Sequence, residues 1–250
     1  MEVPTTRVTL LDGFAVHAGN GGTSRRIDGD LPHGVQRLVA HLALVGRTAR
    51  TAVAGQLWPE VSEEHACGSL RSAIWRLHRA APDLLIEVSG RTLSLAPAVR
   101  VDVDELADWA RGVADVRLPL DDALVPDAGI RGDLLPGWYD DWVLLERERL
   151  RQLRMHTLEV LAGRLAAAGR HGEALQAAYA AVRAEPLRES AHRTVVLVHL
   201  AEGNVAEAVR AHDLFETLLG EELGVGPTEQ MTRLVRDVRS SSRRVAQPIG

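Results

Sequence analysis

The sequence predicts a mostly α fold with small β elements, arranged in two successive parts, and three observations predict it. Across Glu63 to Ala81 the apolar and the basic residues separate onto opposite sides of one helix. Short apolar runs linked by Asp12-Gly13 and by Ser89-Gly90-Arg91 read as hairpins. In the C-terminal half a helical pattern recurs after 34 residues, from Gly169 to Gly203.

The first elements are strands. Val8 to Leu11 and Phe14 to His17 flank Asp12-Gly13, a strong two-residue hairpin signal. The run from Gly19 to Ser24, GNGGTS, lacks the spacing of a dinucleotide fingerprint and reads as a mobile loop between strands. Pro32 is placed to open a helix over Gly34 to Val45, where Val35, Leu38, Val39, Leu42 and Val45 fall at helical spacing. A second, short helix runs from Thr51 as N-cap to Trp58, which precedes the helix-ending Pro59.

The third helix carries the functional signal. At roughly 100° per residue, Ala66, Leu70, Ala73, Ile74, Leu77 and Ala81 form one stripe, while Gly68, Arg71, Ser72, Trp75, Arg76 and Arg79 face away. Glu63 and Glu64 occupy the first turn, where they favour the positive helix end, and no acidic residue follows until Asp83. A basic helix face alone is ordinarily a solvated face, so its neighbours decide. Leu84 to Val88 and Thr92 to Leu95 read as the strands of a hairpin through Ser89-Gly90-Arg91. Three helices and then a hairpin is the order of a winged helix-turn-helix, and the small strands ahead of it mark the response-regulator-type variant. In that arrangement the third helix enters the major groove and the hairpin touches the adjacent backbone. The expected DNA-binding residues are therefore Gly68, Arg71, Ser72, Trp75, Arg76 and Arg79 at the groove, Arg91 at the wing, and Thr51 on a phosphate. An arginine fork on guanine is the commonest specific contact, and Trp75 contacts a thymine methyl or a sugar.

The second part is all-α. Ala96 to Asp104 lead into a helix at DELADWARGV, and residues 115 to 137, rich in Pro, Gly and Asp, predict a short helix and a loop. Asp140 and Asp141, set among Trp138, Tyr139 and Trp142, place favourable charge before a long helix through LLERERLRQLRMHTLEVLAGRLAAAG, with the aromatics packing the domain junction. Setting AGRHGEAL from Ala168 against EGNVAEAV from Glu202 pairs Gly169 with Gly203, Glu173 with Glu207, and Ala174 with Ala208. Their separation is the tetratricopeptide period, and such repeats stack helices into a surface for partners. Ala181 and Pro186 suit the first repeat, whereas Phe215 and Gly220 stand at those places in the second, so its final turn is expected to differ. The domains expected are 1–100, winged helix; 101–238, tetratricopeptide-like helices; and 239–250, a disordered tail.

Four stretches, LPHGVQRLVAHLAL, QLWPEVSEEHACGSLRSAIWRLHR, VSGRTLSLAPAVRVDVDEL and GDLLPGWYDDWVLLERERLRQL, are together similar to the actinobacterial antibiotic regulatory protein family of transcriptional activators. The resemblance implies a response-regulator-type winged helix followed by a bacterial transcriptional activation domain. It further implies promoter DNA with direct repeats near the -35 element, a head-to-tail homodimer on DNA, RNA polymerase holoenzyme recruited through its sigma subunit and other surfaces, and control of a secondary-metabolite gene cluster.

Composition bounds these readings. With 250 residues, 46% hydrophobic and 25% charged, the chain has room for two globular cores. No apolar run approaches a membrane span and no signal core follows the N-terminus, so a soluble, cytoplasmic and nucleoid-associated protein without a membrane partner is expected. The length is expected to leave no room for an appended receiver or NTPase domain. The single Cys67 forbids an intramolecular disulfide and reads as a small residue at a packed helix edge, with a redox switch as the alternative. All 29 basic residues are arginine, which removes the lysine of a P-loop, of a Schiff base and of a general base. The net charge is -5, but residues 1–100 carry 11 Arg against 9 acidic residues, and residues 101–250 carry 18 against 25. Positive charge is therefore local, which suits weak monomer binding and two copies on repeated sites. His192 and His199 lack metal-site spacing, and the acidic doublets at Asp121, Asp140 and Glu221 have no substrate assigned, so no enzyme, cofactor or metal is expected. The alternative is a repeat-domain scaffold for a protein or peptide without specific DNA binding, which the acidic C-terminal half favours.

Overall fold

The structure is a computed structural model, and it describes residues 5–20, 23–27, 29, 31–80, 86–120 and 132–236. The chain divides into two compact units, Met1–Trp109 with Pro126–Arg151, and Ala110–Val125 with Gln152–Gly250. The fold is mostly α with small β elements.

The first unit opens with β1 (Thr5–Thr9), β2 (Ala15–Asn20) and β3 (Thr23–Arg26), which with β7 (Arg100–Val101) form a four-stranded sheet in the order β3-β2-β1-β7. β1 stops two residues short of the expected Leu11. The amides of Leu10 and Leu11 leave the ladder for the Asp102 carboxylate, at 2.9–3.0 Å, and Leu10 O accepts from Leu135 N at 2.8 Å. The expected two-residue hairpin is corrected: β1 and β2 close on Thr9↔Ala15, so Leu10 to Phe14 form a five-residue connection, within which Asp12 and Gly13 take the positive φ values of 63° and 132°. The loop expected over Gly19 to Ser24 is corrected. β2 and β3 pair antiparallel up to Asn20↔Thr23, because backbone pairing with an existing strand outweighs weak local β-propensity; Gly21 and Gly22 lie outside the described residues.

Three helices follow. α1 (His33–Val45) begins after Pro32 and ends on Gly46 at φ 70°. α2 (Arg50–Leu57) starts two residues earlier than expected, with Ala49 rather than Thr51 at the N-cap. The reason is β4 (Thr48–Ala49), unforeseen because it is two residues long, which pairs with β6 (Thr92–Leu95) and delivers the chain straight into the helix. α3 (Glu63–Ala80) matches its expected span, Ala81 lying outside the described residues. β5 (Ile86–Ser89) and β6 close on Ser89↔Thr92, leaving Gly90 at φ 59° and Arg91 as the turn; Leu84 and Leu85 lie outside the described residues. The second sheet thus has the order β4-β6-β5. Val35, Leu38, Leu42, Val53, Leu57, Leu70, Leu77 and Leu93 are buried between the helices and this sheet. Each such side chain contributes roughly 1.5–3 kcal/mol by leaving water.

β7 pairs parallel to β1 at Val8↔Val101 and runs directly into α4 (Asp102–Ala114). Burial pushes the Asp102 carboxyl up to about 6, although backbone amides of Leu10 and Leu11 donate to it. α5 (Asp141–Ala167) follows, with Asp141 in its first turn as the charge argument expects. Asp140 pairs with Arg37 of α1, and Trp142 sets its ring edge-on against His41 at 5.2 Å. Trp138 stacks on Phe14 and meets His33, so these two tryptophans pack inside the first unit. Arg147 donates to the carbonyls of Leu134, Leu135 and Trp138 at 2.7–3.0 Å, satisfying backbone acceptors of an irregular segment. The short helix expected within 115–137 falls partly on residues 121–131, outside the described residues; the described flanks, 115–120 and 132–137, hold turns and a single bridge.

In the second unit, α6 (His171–Ala184), α7 (Glu189–Glu202) and α8 (Val205–Leu223) pack in sequence, α6 on α7 and α7 on α8, and a helical stretch at 229–236 follows. α6 and α8 begin 34 residues apart, each shortly after a glycine with positive φ, Gly169 at 75° and Gly203 at 87°. α6 stops after 14 residues, ahead of Pro186, whereas α8 runs for 19 because Gly220 does not break it. Phe215 is fully buried with Val196, Leu219, Met231 and Val235, and the His192 ring stacks on it at 4.1 Å. Arg164 donates to the carbonyls of Val113, Asp115 and Leu118 and so closes the C-terminal end of α4 within this unit. The tail expected from 239 lies outside the described residues.

Candidate nucleic-acid interface

α3 is positioned from both ends of its chemistry. Ser62 precedes it, its hydroxyl 2.7 Å from His65 Nδ1, and its carbonyl accepts the Ala66 amide at 2.9 Å. Glu63 and Glu64 lie in the first turn and His78 and Arg79 in the last, each sign at the helix end that favours it. Ala66, Leu70, Ala73, Ile74 and Leu77 are buried, which turns the opposite face outward. On that face Arg71, Ser72, Trp75, Arg76 and Arg79 are exposed, and Gly68 is half-buried. The six residues expected from the helical period therefore share one surface.

Their chemistry differs. Among the described residues Arg71 and Arg76 have no carboxylate partner, whereas Arg37, Arg188 and Arg193 are engaged in ion pairs. Arg79 sets its guanidinium over the Trp75 ring, 5.5 Å from the centroid, and Trp75 is 60% exposed. Ser72 is partly committed, since its hydroxyl donates to Gly68 O at 3.1 Å; its lone pairs remain as acceptors. A methyl group at Gly68 would meet only the Arg71 guanidinium, at an ordinary 3.7 Å, so packing does not demand glycine there. Gly68, Arg71, Ser72 and Arg76 also line a groove of about 820 Å³, whose other wall is Pro32, Gly34, Val35 and Trp58.

Thr51 and Arg91 form a second group. Thr51 is exposed in the first turn of α2, and Arg91 is exposed at the β5–β6 turn. They are neighbours through Arg50, whose amide donates to Arg91 O at 2.9 Å. The same pairing brings in two residues that sequence reasoning missed: Arg50 itself, and exposed Arg47, whose Nε donates to Thr92 Oγ1 at 3.1 Å. The available signal was the Arg-Thr-Ala-Arg run before α2, whose position beside the hairpin follows only from the β4–β6 ladder.

One group of possible metal ligands occurs among the described residues, His212, Asp213 and Glu216 on α8, with ligand atoms within 4.8 Å of one another. His212 Nδ1 lies 3.1 Å from Asp213, a hydrogen bond that accounts for the ring's orientation without an ion. No described helix is long and apolar enough to cross a membrane.

Residues 121–239 match the family model of the bacterial transcriptional activator domain. Over that stretch the chain is similar to bacterial transcriptional activator domains. It is also 29% identical over 220 residues to the regulatory protein AfsR of Streptomyces griseus and 28% identical over 219 residues to AfsR of Streptomyces coelicolor. Each match covers 82% of this chain, and the chain spans 22% of the length of those relatives. The likeness to antibiotic-regulatory-type transcriptional activators therefore holds. Among solved structures, Mycobacterium tuberculosis EmbR, in complex with a low-affinity phosphopeptide, matches 99% of this chain and 67% of its own chain, with a TM-score of 0.69 at 18% identity. That likeness is one of fold.

Proposed function

We propose that this activator binds promoter DNA sequence-specifically through its first unit, read as a response-regulator-type winged helix-turn-helix, with α3 in the major groove and the β5–β6 hairpin as the wing. The observation that carries the reading is the exposed α3 face on which Arg71 and Arg76 have no carboxylate partner among the described residues. Buried or paired guanidiniums have little left to give a phosphate or a guanine; these two are available. Arg47, Arg50, Thr51 and Arg91 serve the adjacent backbone. The second unit is read as tetratricopeptide-like, supported by the 34-residue offset between α6 and α8, and supplies oligomerisation or partner contacts.

On this reading the sites are direct repeats near the -35 element, occupied by a head-to-tail homodimer in the cytoplasm. RNA polymerase is recruited through its sigma subunit, and the genes switched on are a secondary-metabolite cluster. The small positive balance of residues 1–100 favours two weak monomers acting together over one tight one.

A footprint and a binding titration on promoter fragments beside the gene, over increasing salt, test the reading. The expected result is a salt-sensitive, sequence-preferring complex that the double variant Arg71→Ala, Arg76→Ala abolishes. Unchanged promoter affinity of that variant removes the role of α3. No sequence preference at any salt leaves the scaffold reading, which the acidic residues 101–250 favour.

A further inference from the structure

Trp75 is the one large apolar side chain on the exposed face of α3, with 60% of it open to solvent, between Arg71, Ser72, Arg76 and Arg79. Exposed apolar residues are common singly and carry no message by themselves. This one differs because it is already half of a pair. The Arg79 guanidinium lies 5.5 Å from its ring centroid, within the range where a cation is held by the ring's electron-rich face. The spacing is i,i+4, so both side chains rise from the same side of the helix.

The pair has two consequences. A guanidinium held over an indole keeps its N–H groups available in its own plane while losing little rotamer freedom on binding. One region of the indole is covered by Arg79, which leaves the rest of an exposed ring as an apolar surface in the middle of a basic face. In the major groove the apolar feature that base pairs offer is the thymine C5-methyl group. Backbone phosphates flank it on either side. Arg79 lies in the last turn of α3, where a helix entering the groove by its N-terminal part comes back toward the backbone.

We propose that Trp75 and Arg79 are a preassembled thymine reader: the free part of the Trp75 ring packs on a thymine methyl, and Arg79, positioned by that ring, donates to the phosphate beside it. This rests on the DNA-binding reading and names a specificity determinant within it. Trp75 makes the contact that carries sequence information; Arg79 contributes affinity without specificity.

The experiment uses the full chain and the promoter duplex defined by footprinting, with each thymine in turn replaced by deoxyuridine, which removes the methyl alone. For the unsubstituted protein, one thymine per half-site should lose about fourfold in affinity on that replacement, the worth of one buried methyl. Trp75→Ala should bind the thymine and deoxyuridine duplexes equally, and Trp75→Phe should keep part of the difference. Arg79→Ala should weaken all sequences alike and lower the salt slope by about 1 while keeping the methyl effect. Because Trp75 is exposed, helicity by circular dichroism should be unchanged in these variants. A salt-sensitive specific complex indifferent to every deoxyuridine, or a Trp75→Ala protein that still senses the methyl, overturns this inference and leaves DNA binding intact. Absence of any specific complex overturns both.

Discussion

Asp102→Asn probes the first unit with a sign that can be worked out in advance. Asp102 is 1% exposed and accepts from Leu10 N at 3.0 and 2.9 Å and from Leu11 N at 2.9 Å, joining the end of β1 to the start of α4. Asparagine offers one oxygen in place of two and turns an N–H₂ toward amides that need acceptors, so one buried donor is left unpaired at about 1–3 kcal/mol. Burial raises the carboxyl from its ordinary 3.8 to about 6. The native state then binds the proton more tightly than the unfolded chain, so Asp102's contribution is full below about pH 4 and falls as pH rises through 6. The difference is worth about 3 kcal/mol. His41, buried against Trp142 and lowered by that burial, acts in the opposite sense and destabilises the unit as pH falls below its ordinary value; it is common to both proteins and cancels in their difference. All five tryptophans, Trp58, Trp75, Trp109, Trp138 and Trp142, belong to the first unit, so their fluorescence during urea unfolding reports that unit. Measured between pH 4 and 7.5, the advantage of the parent over Asp102→Asn should be largest at pH 4 and shrink toward pH 7. An advantage that grows with pH would mean that the three amide hydrogen bonds outweigh burial, and would refute the argument.

Other outcomes follow from the same geometry. Arg76→Ala should cost roughly 1–3 kcal/mol on the specific promoter duplex and relax selectivity at one base position, read from a panel of single-base variants. Arg91→Ala, at the exposed hairpin turn, should instead lower affinity evenly across sequences and reduce the salt slope by about 1, in a titration over potassium chloride. Phe215→Ala removes a fully buried ring stacked on His192 and should destabilise the second unit by about 3–5 kcal/mol, followed by far-ultraviolet circular dichroism while tryptophan fluorescence stays native.

The elements that local chemistry dictates were legible in the residues. The 3.6-residue period located α1 and α3 to within a residue, Pro32 and Gly46 stand at the ends of α1, and the 34-residue offset read between Gly169 and Gly203 recurs between the starts of α6 and α8. What was not legible was pairing at a distance. β4 and β7 are two residues long and exist because β6 and β1 lie beside them, so no periodicity can announce them. The same holds for Asp102, Arg147 and Arg164. Each reads as an ordinary charged residue until its backbone partners, 9 to 92 residues away in the chain, are in place.

By itself the sequence determined that one face of α3 would be apolar and the other basic, since a helix's side-chain directions follow from its covalent geometry and the order of residues. Only the tertiary structure decided what those basic residues have left to offer. Arg37 is paired with Asp140, Arg79 lies over Trp75, and Arg71 and Arg76 have no carboxylate partner among the described residues. Charge is a property of the residue; its availability depends on which groups the folded chain brings within a few ångströms.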